Sequence, residues 1–272
     1  MTKKRVLFVT QEMNPYTTLT EISAIVKKLA PLTQNKGMEV RVLMPKFGSI
    51  NERRHRLHEV VRLSGMNIIV DDDDYPLIIK VASLPGSRLQ VYFLDNEEFF
   101  KRKAVFNDKE EDKPFEDNQE RMVFFCKGVI ETVRKFGWPP DIIHCHGWMT
   151  SLIPYYLKNV YANEPIFENS NVIYSAYENE YEKTFNENFF NLAAINQLEP
   201  EDLVDFKDNK SVKLLLGGIK HADAIVKGSE TLEENVQKLF DESSKPKLDF
   251  YGEEEISAPL LEFYQGLLEP VA

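Results

Sequence analysis

Apolar and polar positions along this chain follow two rhythms. Val6-Leu7-Phe8-Val9 is a continuous apolar run, as expected of a strand buried on both faces. Over residues 19–32 the period lengthens, and Leu19, Ile22, Ile25, Val26 and Leu29 fall on one face of a helix. Gly37 closes that unit. Val40-Arg41-Val42-Leu43-Met44 then predicts a second strand, stopped by Pro45. Strand, helix, strand at this spacing predicts a parallel pair with a right-handed crossover.

The middle of the chain reads differently. Residues 59–70, 75–83 and 88–94 are β-rich, separated by Asp71-Asp72-Asp73-Asp74 and Pro85-Gly86-Ser87, and predict antiparallel strands added to the parallel core. Residues 101–118 are charged and predict a surface loop, interrupted by Val105-Phe106 and Phe115. The α/β alternation resumes with helices at 118–136, 150–161, 199–206 and 211–221, and strands at 142–144, 172–175 and 224–226. Ser229 is placed to cap a helix running to Phe240. The pattern predicts an α/β fold: a single doubly wound, mostly parallel Rossmann-like sheet with an antiparallel extension, over residues 1–240. Residues 241–272 are expected to form a linker and a helix packed back on the body, a stretch too short for a second domain of typical size.

Composition narrows the partners. A net charge of -11 argues against nucleic acid or an anionic membrane. No apolar run reaches the roughly 20 residues a membrane helix needs, and the start is too short for a secretion signal. Two cysteines, Cys126 and Cys145, fit a reducing cytoplasm rather than a disulfide framework.

Candidate chemistry concentrates at Asp141-Ile142-Ile143-His144-Cys145-His146-Gly147-Trp148, a buried strand delivering polar groups to its carboxyl end, where open sheets bind ligands. His144 and His146 share one face and Cys145 the other, which argues against a metal site; no metal or cofactor is expected. His144 is expected to be buried and bonded to backbone, whereas His146 reads as a ligand contact or a structural group. The basic segment Glu52-Arg53-Arg54-His55-Arg56-Leu57-His58 is either a solvated loop or a contact for phosphate or an acidic partner, with the former favoured. Asp71 to Asp74 lack the spacing of a calcium loop. Tyr155-Tyr156, Phe189-Phe190 and Phe124-Phe125 read as core, and Gly217-Gly218 as a hinge or a close-packing point.

Six segments, in order, resemble the N-terminal half of bacterial glycogen synthases and plant starch synthases. They are residues 12–19, Glu39 to Gly48, Val91 to Phe100, Glu116 to Met122, Pro140 to Trp148, and Gly217 to Ile225. The resemblance implies one lobe of a two-lobe GT-B glycosyltransferase, a family that moves glucose from ADP-glucose to an α-1,4-glucan with retention. It implies substrate contacts at Glu12, Thr17, Thr18, Glu21, Asp95, Asn96, His146, Trp148 and Tyr177.

Four departures bear on activity. Nothing after residue 240 matches the second lobe, which in the family carries most of the nucleotide pocket. Aligned on Leu19, the family's first-loop lysine is Pro15 and its glycine pair is Thr17-Thr18, either of which is instead suited to cap the first helix. The acidic residue after the second histidine is Gly147, and Tyr177 stands where the family has a histidine. A phenol titrates near ~10 against ~6.5 for imidazole and does not replace its acid–base behaviour. The expectation is a retained fold with transfer lost or altered, needing a partner lobe or a second copy if active. The alternative is a non-catalytic glucan- or sugar-nucleotide-binding, regulatory or scaffold protein.

Overall fold

A computed structural model describes residues 3–108, 110–111, 113–178 and 181–269. The chain begins β1 (Arg5–Thr10), α1 (Ile22–Asn35), β2 (Glu39–Pro45), α2 (Glu52–His55) and β3 (His58–Glu59). It continues β4 (Met66–Val70), β5 (Asp73–Ser83), β6 (Gln90–Asp95), α3 (Glu97–Phe100) and α4 (Asn118–Phe136). Then come β7 (Ile142–His146), α5 (Leu152–Asn159), β8 (Asn171–Ala176), α6 (Asn188–Ala193), the small hairpin of β9 (Lys207–Asp208) and β10 (Ser211–Val212), and α7 (Leu214–His221). Last are β11 (Ala224–Lys227), α8 (Glu234–Glu242), β12 (Lys247–Leu248) and α9 (Ser257–Leu268).

Among the described residues the main sheet runs β12-β11-β8-β7-β1-β2-β6-β5-β3, with β4 also on β5. From β12 to β6 every pairing is parallel. The strand β1 lies at the centre because Val6, Leu7, Phe8 and Val9 are 0% exposed, apolar on both faces. The order reverses between β1 and β7, so the carboxyl ends of those two strands flank the switch point where a crevice opens.

Two expectations change and a third is qualified. The run at 88–94 is not an antiparallel add-on: β6 pairs parallel with β2 on one side and antiparallel with β5 on the other. A one-strand pattern does not encode its partners' directions. The segment 101–117 is exposed at Lys101, Lys103, Glu110, Glu111, Lys113 and Glu116, as a surface loop should be, yet it is anchored inward. Phe106 is 2% exposed, and the wholly buried guanidinium of Arg121 donates to the carbonyls of Phe99 (2.8 Å) and Val105 (2.7 Å). Desolvation lowers that guanidinium to about 10. Ser229 does not cap α8, which starts five residues later, at Glu234.

Gly217 and Gly218 serve close packing: a side chain at either would strike the rings of Phe206 and Tyr174. The thiols of Cys126 and Cys145 are both buried, and Cys126 donates to the Met149 carbonyl at 3.2 Å. At the far end, β12 joins β11 in parallel and α9 lies beside α1. Lys28 Nζ on α1 holds the Glu253 carbonyl at 2.7 Å. No described helix is long and apolar enough to cross a membrane.

Candidate functional site

At the switch point, buried polar atoms without a partner among the described residues meet an open hollow. Gln11 follows β1 and Gly147 follows β7. Gly147 has φ of +86°, and a side chain there would collide with the Gln11 amide. The Gln11 Oε1 accepts from the Met149 N–H at 3.3 Å, so the amide occupies the space an acidic residue at 147 would need. This pairing had one sequence signal, a polar residue directly after a buried strand; the fit to Gly147 had none.

A cavity of about 410 Å³ opens here, lined among others by Gln11, Asn107, Trp148, Tyr177, Glu178 and Tyr181. Trp148 forms its aromatic wall. Its ring stacks on Tyr181 at 5.5 Å and 28° and meets Phe106 at 4.9 Å and Phe185 at 5.7 Å. Trp148 Nε1 is buried without a partner among the described residues, as is Asn107 Oδ1. A second hollow of about 420 Å³ shares Asn107 and Tyr181 with the first and is bordered by Thr17, Thr18 and Leu19. The lining residues described for the first cavity include no lysine or arginine.

His146 does not face this cleft. It is 1% exposed, lies under the Phe8 ring at 5.8 Å, and shares a hydrogen bond of 2.9 Å between Nδ1 and the Tyr177 hydroxyl. Its Nε2 has no partner. His144 is buried as expected, but its partners are side chains: Tyr264 Oη at 2.6 Å and Ser175 Oγ at 2.7 Å. Burial drives both imidazoles down, His146 to about 3 and His144 well below 6.5, with His146 adding to the effect on His144. Both are neutral at ordinary pH. Burial, then the nearby Glu21 carboxylate, pushes the Tyr177 phenol up.

Glu12 is fully buried and accepts from the N–H groups of Leu19 (2.6 Å) and Thr20 (2.9 Å) and from Thr20 Oγ1 (2.7 Å). An internal carboxylate therefore fills the anion-accepting position before α1. Neither threonine caps α1: Thr18 bonds Asn14, Thr17 Oγ1 has no partner among the described residues, and it is Thr20 Oγ1 that accepts from the first helical N–H, that of Ile22, at 3.3 Å. Burial raises the Glu12 carboxyl despite these bonds. Glu21 accepts from Ser229 Oγ at 2.9 Å, and that same oxygen accepts from the Glu178 N–H at 3.0 Å, tying α1, β8 and β11 together at the cleft floor.

Asp95 and Asn96 lie elsewhere on the edge. Asp95 Oδ2 meets Lys80 Nζ at 2.7 Å; Glu52 meets Lys80 at 2.8 Å and Lys46 at 2.6 Å. Asn96 Oδ1 caps α3 through the Glu98 and Phe99 N–H groups at 2.9 and 3.1 Å. Of the basic segment, His55 packs edge-on to Tyr16 at 5.0 Å, and Arg53 and Arg54 are exposed. Trp148 and Tyr177 thus line the cleft and Thr17 and Thr18 border its extension. Glu12 and Glu21 support it from beneath. His146 is walled off, and Asp95 and Asn96 are engaged in the body. Sequence reasoning missed Gln11, Asn107, Tyr181, Ser229 and Gly228, whose missing side chain leaves room for the Tyr177 ring.

The model of the starch synthase catalytic domain matches residues 5–251. The glycogen synthase of Pelodictyon phaeoclathratiforme is 33% identical over 234 residues, covering 85% of this chain and 47% of that protein. That of Chlorobaculum tepidum is 35% identical over 248 residues, 90% and 49% respectively. The chain spans about half the length of the curated relatives it matches. Among solved structures, the catalytic domain of starch synthase IV from Arabidopsis thaliana, bound to ADP and acarbose, superposes with a TM-score of 0.69. It is 20% identical and covers 85% of this chain and 46% of that one, a likeness of fold. The doubly wound lobe is therefore a glycosyltransferase lobe, and the chain belongs to the starch synthase catalytic domain family.

Proposed function

We propose that this lobe binds a neutral oligosaccharide of the α-1,4-glucan type at the switch-point cleft and does not transfer glucose by itself. The observation that carries this is the chemistry of the cleft. Half-buried Tyr181, backed by the stacked ring of Trp148, offers a face for sugar stacking. Gln11, Asn107 and Glu178 supply amide and carboxylate groups for hydroxyls; no described residue lining the main hollow is cationic, and Lys103 borders only its extension. A diphosphate leaving group needs preorganised positive charge. Glu12 already takes the N–H groups that would otherwise meet an anion. The family histidine position is Tyr177, held neutral by burial and directed into the body. Two buried thiols suit a reducing cytoplasm.

Calorimetric titration of the pure protein with maltoheptaose, ADP and ADP-glucose tests this reading. Heat from maltoheptaose with none from ADP supports it; nucleotide binding without glucan binding overturns it. Chain extension of a maltooligosaccharide from ADP-glucose by this polypeptide alone also overturns it.

A second reading, a glucosyltransferase completed by a partner lobe or a second copy, is favoured by the match to synthases over residues 5–251. It predicts chain extension only when a candidate partner chain is added or this chain associates with a second copy of itself.

A further inference from the structure

We propose that Tyr177 is a gate between the cleft and a small second hollow in which His146 is held in reserve, and that Gly228 is the seat that lets the gate shut. The inference goes beyond the oligosaccharide reading and does not depend on which ligand the cleft takes.

Tyr177 is a wall shared by two cavities. On one side is the 410 Å³ cleft. On the other is a chamber of about 10 Å³, space for one water, lined by His144, His146, Ser175 and Val226 among others. The ring is 4% exposed. Its hydroxyl shares the 2.9 Å bond with His146 Nδ1, leaving Nε2 as a buried ring nitrogen without a partner. Whichever nitrogen carries the proton, that atom has no protein partner among the described residues, which native interiors disfavour.

The seat is specific. A Cβ on Gly228 would stand 2.6 Å from the Tyr177 ring and 2.8 Å from the Ala176 carbonyl. That loop is fixed, since the Gly228 N–H donates to Ala176 at 2.7 Å. The ring is thus backed by main chain on one side, with the cleft on the other. Swinging out joins chamber to cleft and frees Nδ1, the nitrogen that faces Tyr177, for a hydroxyl of whatever occupies the cleft. His144 is not released by the same motion, because both its nitrogens stay bonded to Tyr264 and Ser175.

The test is the rate at which diethyl pyrocarbonate modifies each histidine of the folded protein, mapped by mass spectrometry, with exposed His58 as the internal standard. The unsubstituted protein is expected to leave His146 modified at least about tenfold more slowly than His58. Tyr177→Ala should bring His146 within about threefold of His58 while His144 stays protected, and Tyr177→Phe, which keeps the ring, should stay protected. Gly228→Ala keeps the tyrosine but spoils its seat, and should expose His146 even if the alanine variant at 177 does not fold. Equal rates for His146 and His58 in the unsubstituted protein overturn the gate. So does protection of His146 that persists in folded Tyr177→Ala or in Gly228→Ala.

Discussion

On the β2–β6 side of the sheet's carboxyl edge, Lys46 and Lys80 meet Glu52 and Asp95, two cations against two anions. On the β7–β8–β11 side, two histidines and a tyrosine are all uncharged. The first side is complete. Its ion pairs answer one another, so it has nothing left for a ligand. The second leaves His146 Nε2 and Trp148 Nε1 without partners beside a hollow. The difference teaches where to look: unspent hydrogen-bonding capacity next to open space marks the ligand side better than charge does. Asp95 is acidic and stands at a strand end, yet its carboxylate is already used.

The comparison breaks most visibly at Gly147. Gly147→Asp restores the acid the family has there, but forces a side chain onto a backbone at φ +86° and into the Gln11 amide. A loss of about 3 kcal/mol or more is expected in urea unfolding. Adding Gln11→Gly should recover part of it, since the two positions share one space. A neutral Gly147→Asp would show that the two are not coupled.

Acid sets the two sides apart next. His144 and His146 have folded-state values below their ordinary 6.5, so the unfolded chain binds more protons as pH falls below that value. Their stabilisation is complete above 6.5 and is lost on acidification, by up to about 1.4 kcal/mol per pH unit for each histidine. Replacing His146 by Phe should flatten the slope between pH 6 and pH 4; an unchanged slope rules out this origin.

On the charged side, Asp95→Asn leaves Lys80 short of one partner in a partly buried cluster. About 1–2 kcal/mol should be lost in thermal unfolding, with maltoheptaose affinity unchanged. A large drop in affinity would return Asp95 to the binding site. The smallest expected effect is on the cleft itself. Asn107→Ala should weaken maltoheptaose binding roughly fivefold, the loss of about one hydrogen bond, with little change in stability. Identical affinity would remove Asn107 from the ligand surface.

The parallel core was legible because its rhythms are local: the run Val6 to Val9 and the helical face of Ile22, Ile25, Val26 and Leu29 follow from residue spacing alone. Pairing direction was not, since β6 reads the same whether its neighbour runs with it or against it. Val105-Phe106 stood out as an apolar interruption of a charged run, but one ring gives no period and could not reveal that it is buried. At the site, Trp148 and Tyr177 stand at strand ends and were readable there. Gly228 was invisible for a different reason: a glycine making room for a ring 51 positions away leaves no mark on its own neighbours. Ser229 was assigned to the nearest helix when its hydroxyl reaches a glutamate 208 residues earlier.

Both native thiols lie wholly inside, with burial raising them far from ready ionisation. A cysteine installed at an exposed point such as Val61, 78% open to solvent, would then be the sole handle for a maleimide dye or spin label. Distance measurements across this lobe need no prior removal of its own sulfur.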